Sequence, residues 1–366
     1  MALLVVLAAA LAGPAAASAG VPREFYAISP QQVPNSAELD QMERGRVGTL
    51  RAQVSWAAAE PEPPTLTGHT YYFSLFDPIV LGATRRGIRV LPFIYSTPAW
   101  VARELDGRAC SVDTCYFYAP TSPAARSAWK SFLGALVERY GPGGELWAEH
   151  PEVEPMPIRT WQIWNEQNSP TFYRPQPDVG AYAELLKSSA DAIRPRDPGA
   201  EILLGGMFGT PSADRKLSPS AWRYLRRLYR TPGTATNFDG VAAHPYAATI
   251  QGVEQQIDHL RTEMRRAKDR RTEMWVTEIG WASSGEPHPL NRGPKGQARR
   301  LRQAFELLRR RRDELNLQLI TWYSWRDDTT TGAGICGWCP YSGLFAENGA
   351  DAKPAWHAFT RFTGGS

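Results

Sequence analysis

At 366 residues, with 43% hydrophobic and 21% charged residues, the chain has the composition of a globular enzyme. Its length suits one large α/β barrel or two ordinary domains. The net charge of +4 is modest, and the Arg-rich stretch Arg309 to Arg312 closes a helix-patterned segment with an apolar stripe at Leu301, Phe305 and Leu308. No aromatic residue interleaves that stretch as single-strand binding would need, so it reads as a solvated helix end and nucleic acid is excluded as a partner.

The first 19 residues read as a secretory signal: Leu3 to Leu11 is an apolar core, and Ala17-Ser18-Ala19 is a small-residue cleavage site. The start carries no Lys or Arg, and the core is shorter than the about 20 apolar residues a bilayer span needs. Residues 20–366 are then the exported chain, with no membrane partner after cleavage.

Strand-like and helix-like segments alternate from there on. Strands begin near Phe25 and Leu50, separated by a helix over Ser36–Arg46, and near Ile88 after a helix over Phe73–Arg86. A helix over Pro123–Tyr140, opened by Ser122-Pro123, precedes a strand near Thr160. Strands near Ile202, Phe238, Met274 and Leu317 then alternate with helices over Asp178–Arg194, Pro219–Tyr229, Val253–Asp269 and Pro294–Arg312, and Lys353–Phe362 closes the chain. Near-continuous apolar runs such as Ile88 to Ile94 are typical of parallel strands covered on both faces. Eight such repeats predict a single (β/α)8 barrel. A doubly wound sheet should carry a Gly-rich phosphate turn after an early strand; Gly205-Gly206 after the fifth strand lacks that spacing.

The four cysteines form two tight pairs, Cys110/Cys115 and Cys336/Cys339. Two local disulfides fit an exported chain and are one of the three pairings that four cysteines allow. A redox motif at Cys336-Gly-Trp-Cys339 and a four-thiolate zinc site are the alternatives.

Catalytic groups in such a barrel project from the C-terminal strand ends. The second strand contributes Arg51 and Trp56, and the third leads to Tyr95 and Trp100. The fourth, Thr160-Trp-Gln-Ile-Trp, ends in Asn165-Glu166, and the sixth ends in His244-Pro245-Tyr246. The seventh, Met274-Trp-Val-Thr, ends in Glu278 and is followed by Trp281; the eighth supplies Trp322 and Trp325. Two glutamates from two strand ends are what glycoside hydrolysis requires: one holds a proton for the departing oxygen, and the other stays ionised to attack the sugar carbon.

On these residues the chain resembles a clan A glycoside hydrolase, most closely of the family 39 and family 5 types, over essentially the whole mature chain. The specific features are Asn165-Glu166 after the fourth strand and Glu278 after the seventh, reinforced by His244-x-Tyr246 and Arg51. The resemblance implies that Glu166 is the general acid/base and Glu278 the nucleophile of a retaining enzyme. It further implies that Asn165 bonds the sugar 2-hydroxyl, that Tyr246 and Arg51 hold the nucleophile, and that a strand-eight tryptophan floors the sugar site. Trp325, nearer the loop, is preferred to Trp322 for that floor.

The chemistry also follows from the residues. Glu278 needs donating or positive neighbours, which Arg51 and Tyr246 supply, and Glu166 needs a less polar setting beside a negative charge. Tryptophans such as Trp100 and Trp281 suit the apolar faces of sugar rings, and His244 belongs to the polar rim. The remaining histidines have no metal-like spacing, so neither a metal nor any other cofactor is expected. A monomer acting on a carbohydrate is expected; a non-catalytic carbohydrate-binding barrel and a transglycosylase using the same two glutamates are the alternatives.

Overall fold

The computed structural model describes residues 21–106, 115–211, 218–330 and 336–366. The leader expected at residues 1–19 and the first cysteine of the Cys110/Cys115 pair lie outside the described residues. Eight parallel strands form a closed barrel: β1 (Tyr26–Ser29), β2 (Thr49–Ser55), β3 (Arg89–Tyr95), β4 (Thr160–Ile163), β5 (Glu201–Leu204, resumed at Met207–Phe208), β6 (Gly240–His244), β7 (Glu273–Ile279) and β8 (Leu317–Tyr323). β1 pairs with both β2 and β8, and β5 reaches β6 through Leu203 opposite Gly240 and Phe208 opposite His244, which closes the ring. The (β/α)8 barrel expected from the sequence is therefore the fold.

Eight outer helices follow the strands: α1 (Ser36–Arg44), α2 (Asp77–Thr84), α3 (Pro123–Tyr140), α4 (Val179–Ile193), α5 (Ala221–Arg230), α6 (Ile250–Arg266), α7 (Gly293–Arg310) and α8 (Pro354–Thr363). Local chemistry starts them. Asn35 and Glu38 cap each other's backbone at α1, and the side chains of Ser122, Asp178 and Thr249 accept the first free amides of α3, α4 and α6. α2 starts later than the expected Phe73, because Pro78 is tolerated only in a first turn. Short helices at Trp56–Ala59, Ala99–Asp106, Glu145–Glu149 and Arg312–Leu315 were not read from the sequence; each is too brief to show a period. The arginine-rich end of α7 is ion-paired: exposed Arg309 meets Glu306, and Arg311, just past the helix and mostly buried, meets Asp258 and Glu314.

The barrel interior is layered. Ala27, Leu91, Leu203 and Leu319 form an apolar plug with Trp275 packed against it. Alternation then carries Arg51, Gln162 and Thr277 inward above the plug, where they hydrogen-bond one another or their neighbours. Outward-facing residues such as Ile28, Leu50, Ile94, Ile202 and Ile320 are fully buried under the helices. An unpaired polar group buried in this layer is costly, and the partners that Arg51, Gln162 and Thr277 find there organise the site above it.

Among the described residues Cys336 and Cys339 are joined in a disulfide, as expected, which removes the free thiols a zinc site would use. No helix of the described residues is long and apolar enough to cross a membrane.

Candidate active site

A cavity of about 460 Å³ opens at the C-terminal ends of the strands. Asn165, Glu166, Tyr246 and Glu278 line its floor together with Tyr95 and Tyr323. Its walls come from Gln31 to Pro34 after β1, Ser169 to Phe172 after β4, Phe208, and the Cys336–Cys339 ring after β8. This volume is within the range of small-molecule sites.

Arg51 sits fully buried beneath the cavity and donates in four directions. Its Nη1 donates to Glu278 Oε1 at 2.5 Å and to Ser29 Oγ at 3.1 Å; Nη2 donates to Asn165 Oδ1 at 2.9 Å and Nε to Gln162 Oε1 at 2.7 Å. The guanidinium also lies over the Phe93 ring, 3.9 Å from its centroid. Tyr246 donates its hydroxyl to the second oxygen of Glu278 at 2.8 Å. Both oxygens of Glu278 are thus held, one by a permanent cation and one by a neutral donor. Burial pushes the Tyr246 hydroxyl well above its usual range, and the Glu278 charge adds to this, so the phenol keeps its proton. Asn165 presents its carbonyl oxygen to Arg51, which can only donate, and so leaves its amide nitrogen for a ligand.

Glu278 reaches this position through an irregularity. The pairing of β7 with β8 slips between Val276 and Ile279, so Thr277 and Glu278 both face the barrel interior although they are adjacent. Strict alternation would have turned one of them to the helices.

Glu166 lies across from Glu278, and an oxygen of each comes within 4.8 Å of the other. It adopts a left-handed backbone (φ +43°), as does Trp164 (φ +75°), so the chain turns sharply where β4 ends. The turn sends Trp164 sideways, where its indole donates to the Phe172 carbonyl, and it sends the Glu166 carboxyl to the cavity. Burial raises the Glu166 carboxyl well above the usual carboxylate range; the neighbouring Glu278 charge raises it further, and Arg51 opposes them. His244, fully buried behind it, meets Glu166 Oε1 through Nδ1 at 2.8 Å. Burial holds the imidazole well below its usual value and Arg51 lowers it further, so the ring is neutral.

The structure therefore brings Arg51, Asn165, Glu166, His244, Tyr246 and Glu278 together. It does not bring the four expected tryptophans to them. Trp322 is fully buried on the outer face of β8, against Phe305 of α7 and Trp281, and its indole donates to the Ser342 carbonyl. Trp325 packs on Phe345 and Trp356 of α8. Trp281 is tied to the Ala247 carbonyl and Trp100 to the Glu60 carbonyl, where it edges Trp56. None of these four lines the cavity. Inward alternation from Leu319 selects Tyr323, and the aromatic wall comes from Trp338, held between the bridged cysteines with its ring 4.9 Å from that of Tyr246. Phe172 and Phe208 complete it. Counting alternate residues from the plug would have found Tyr323; no local sequence signal marks Trp338.

Glu166, His244 and Glu278 offer three ligand atoms close enough for a metal ion. The donor set fits a cation poorly. A bound ion would compete with Arg51 and Tyr246 for Glu278 and would face a guanidinium already 2.5 Å from that carboxylate.

No family model matches the chain, and no curated protein matches it. Solved structures do. A family 39 glycoside hydrolase from the gut symbiont Bacteroides cellulosilyticus WH2 superposes with a TM-score of 0.66 at 19% identity, over 93% of this chain and 63% of that one. A monomeric β-xylosidase from Caulobacter crescentus CB15 gives 0.66 at 17% identity, over 93% and 68%. A GH5_18 enzyme from Streptomyces cattleya, solved in complex with GlcNAc, gives 0.63 at 16%, over 94% and 80%. The chain spans under two thirds of the length of the first of these, and at such identities the likeness establishes the shared barrel fold.

Proposed function

We propose that this protein is a retaining β-glycoside hydrolase, with Glu278 as nucleophile and Glu166 as acid/base. The observation that carries this reading is the pair itself: two buried carboxyls within 4.8 Å, one clamped by Arg51 and Tyr246, the other raised toward its protonated form. Retaining pairs stand about 5–5.5 Å apart, whereas inverting pairs leave room for a water at about 6.5–9.5 Å. The fold shared with a family 39 hydrolase and a β-xylosidase supports the same reading.

In the first step a Glu278 oxygen attacks the anomeric carbon as Glu166 passes its proton to the departing oxygen. The C–O bond breaks and a glycosyl ester forms. With the Glu278 charge consumed, the raised Glu166 carboxyl loses one of its causes, and the carboxylate left after proton transfer accepts a proton from water. The water attacks, and Glu278 leaves as the carboxylate held by Arg51 and Tyr246. Asn165 is placed to donate to a sugar hydroxyl. Residues 1–19 support export, and carbohydrate is the partner.

The test is turnover of a panel of aryl β-glycosides, with the anomer of the first product read by proton NMR. Retention is expected. Glu278→Ala should abolish turnover, and Glu166→Ala should spare much of the first step when the leaving group is a nitrophenolate. Inversion, or near-wild-type activity of Glu278→Ala, would overturn the assignment.

A further inference from the structure

Behind Glu166 runs a chain of hydrogen bonds whose direction is fixed at one end. Arg51 has only donors, so the Gln162 atom 2.7 Å from its Nε is the carbonyl oxygen. The amide nitrogen of Gln162 is then on the far side, donating to the Leu204 carbonyl at 3.1 Å and to Thr277 Oγ1 at 3.2 Å. The Thr277 hydroxyl, fully buried, accepts from Gln162 and has its own proton to place. His244 Nε2, 3.1 Å away, is the acceptor available to it among the described residues. An Nε2–H tautomer would leave that buried proton without a partner.

We infer that Gln162 and Thr277 are positioning residues that fix His244 as the Nδ1–H tautomer, so that His244 donates to Glu166 Oε1 and the acid's proton is confined to Oε2, on the side of the substrate oxygen. In the opposite tautomer Nδ1 would accept, and Glu166 would turn its proton inward to Oε1, away from the scissile bond. The polar relay thus decides which oxygen of the carboxyl is the acid. This inference rests on Glu166 being the acid/base.

The other titratable groups that face Glu166 are Arg51 on β2, Tyr95 on β3, Tyr246 after β6, Glu278 on β7 and Tyr323 on β8. The three tyrosines are raised by burial and stay neutral, so Arg51 and Glu278 are the fixed charges. Neither is altered by removing the Thr277 hydroxyl. That isolates the tautomer as the variable.

The experiment compares wild type, Thr277→Val and Thr277→Ser in the full chain with 15N-labelled histidine. His244 is assigned by its loss in His244→Asn, and its tautomer is read from the two ring nitrogen shifts across pH. Wild type should show Nδ1–H throughout the active range, and Thr277→Ser should keep it. Thr277→Val, nearly isosteric, should release the ring so that the Nε2–H form becomes populated while Glu166 is protonated. In parallel, kcat/KM of Thr277→Val should fall about 10–100-fold on aryl glycosides with poor leaving groups and less than about 3-fold on the dinitrophenyl glycoside. Its basic limb should move to higher pH, because the lost donor had favoured the carboxylate. Thr277→Ser should restore both. Nε2–H in the wild type, or an unchanged tautomer in Thr277→Val, overturns the inference. If the tautomer behaves as expected and the wild type cleaves no glycoside, the relay stands and the proposed function fails.

Discussion

Gly206 lies directly against the imidazole of His244: a Cβ built on it would stand 1.9 Å from Nε2. Where β5 is interrupted between Leu204 and Met207, a bare backbone makes room for the ring that backs Glu166. Gly206→Ala should displace His244, destabilising the fold by about 1–3 kcal/mol, as overpacked interiors do. Urea denaturation checks the stability, and activity should fall with it. A variant as stable and active as the wild type would show that the ring has slack.

Arg51 satisfies acceptors from β1, β4 and β7 and from Asn165 at once. Arg51→Met keeps much of the volume and removes every donor. Breaking a buried ion pair from one side typically costs about 3–5 kcal/mol, so the urea midpoint should drop accordingly and turnover should be lost. Arg51→Lys should recover only part of either, because an ammonium cannot reproduce the fork that spans Glu278, Asn165 and Gln162.

The pH dependence has two components of opposite sign. The Glu166 carboxyl is raised above its ordinary 4.5, so the folded chain holds a proton that the unfolded chain releases. Its contribution to stability is complete below the ordinary value and is lost as pH rises through the raised one. His244 is lowered below its ordinary 6.5, so its contribution is complete above that value and is lost as pH falls from there through the lowered one. Glu166→Gln should therefore flatten the decline of stability on the alkaline side, and His244→Asn should flatten the decline on the acid side. Chemical denaturation at a series of pH values separates them. In activity, the alkaline limb of kcat/KM should lie above the usual glutamate range.

Trp338 is the aromatic wall nearest Tyr246, and it stands inside a four-residue ring closed by Cys336 and Cys339. The Gln31 amide fastens that ring by donating to the Cys339 carbonyl at 2.8 Å. An aromatic contact of this kind is worth about 0.5–1.5 kcal/mol, so Trp338→Ala should raise KM about 3–10-fold with a smaller change in kcat. Reducing the disulfide should have a similar effect in wild type and none in a Cys336→Ser/Cys339→Ser chain. Equal KM values for wild type and Trp338→Ala would remove this residue from the proposed sugar site.

The barrel and the meeting of Glu166 with Glu278 were legible because both depend on features that sequence carries directly. The strands are apolar runs of the right length, and barrel topology sends every strand end to one rim. The aromatic wall was not legible, for a geometric reason. Trp322 and Tyr323 are both large and apolar enough for either face, and only the register with Ala27 and Ser29 on β1 shows that Tyr323 is inside. Trp325 lies beyond the strand, where alternation has ended, and tertiary packing on Phe345 decided its place. Gln162 and Thr277 were passed over because neutral polar residues within an apolar run look incidental until the partner across the barrel is known.

The slip in β7 has a consequence for how such a site can arise or be transplanted. Moving Met274–Glu278 as a regular ribbon onto another barrel would deliver the glutamate to the helices and leave the threonine alone inside. Without the slip the same would hold here, because regular pairing of β7 with β8 would turn one of Thr277 and Glu278 outward. The place of Glu278 therefore depends on the spacing within β7 and not only on the strand itself.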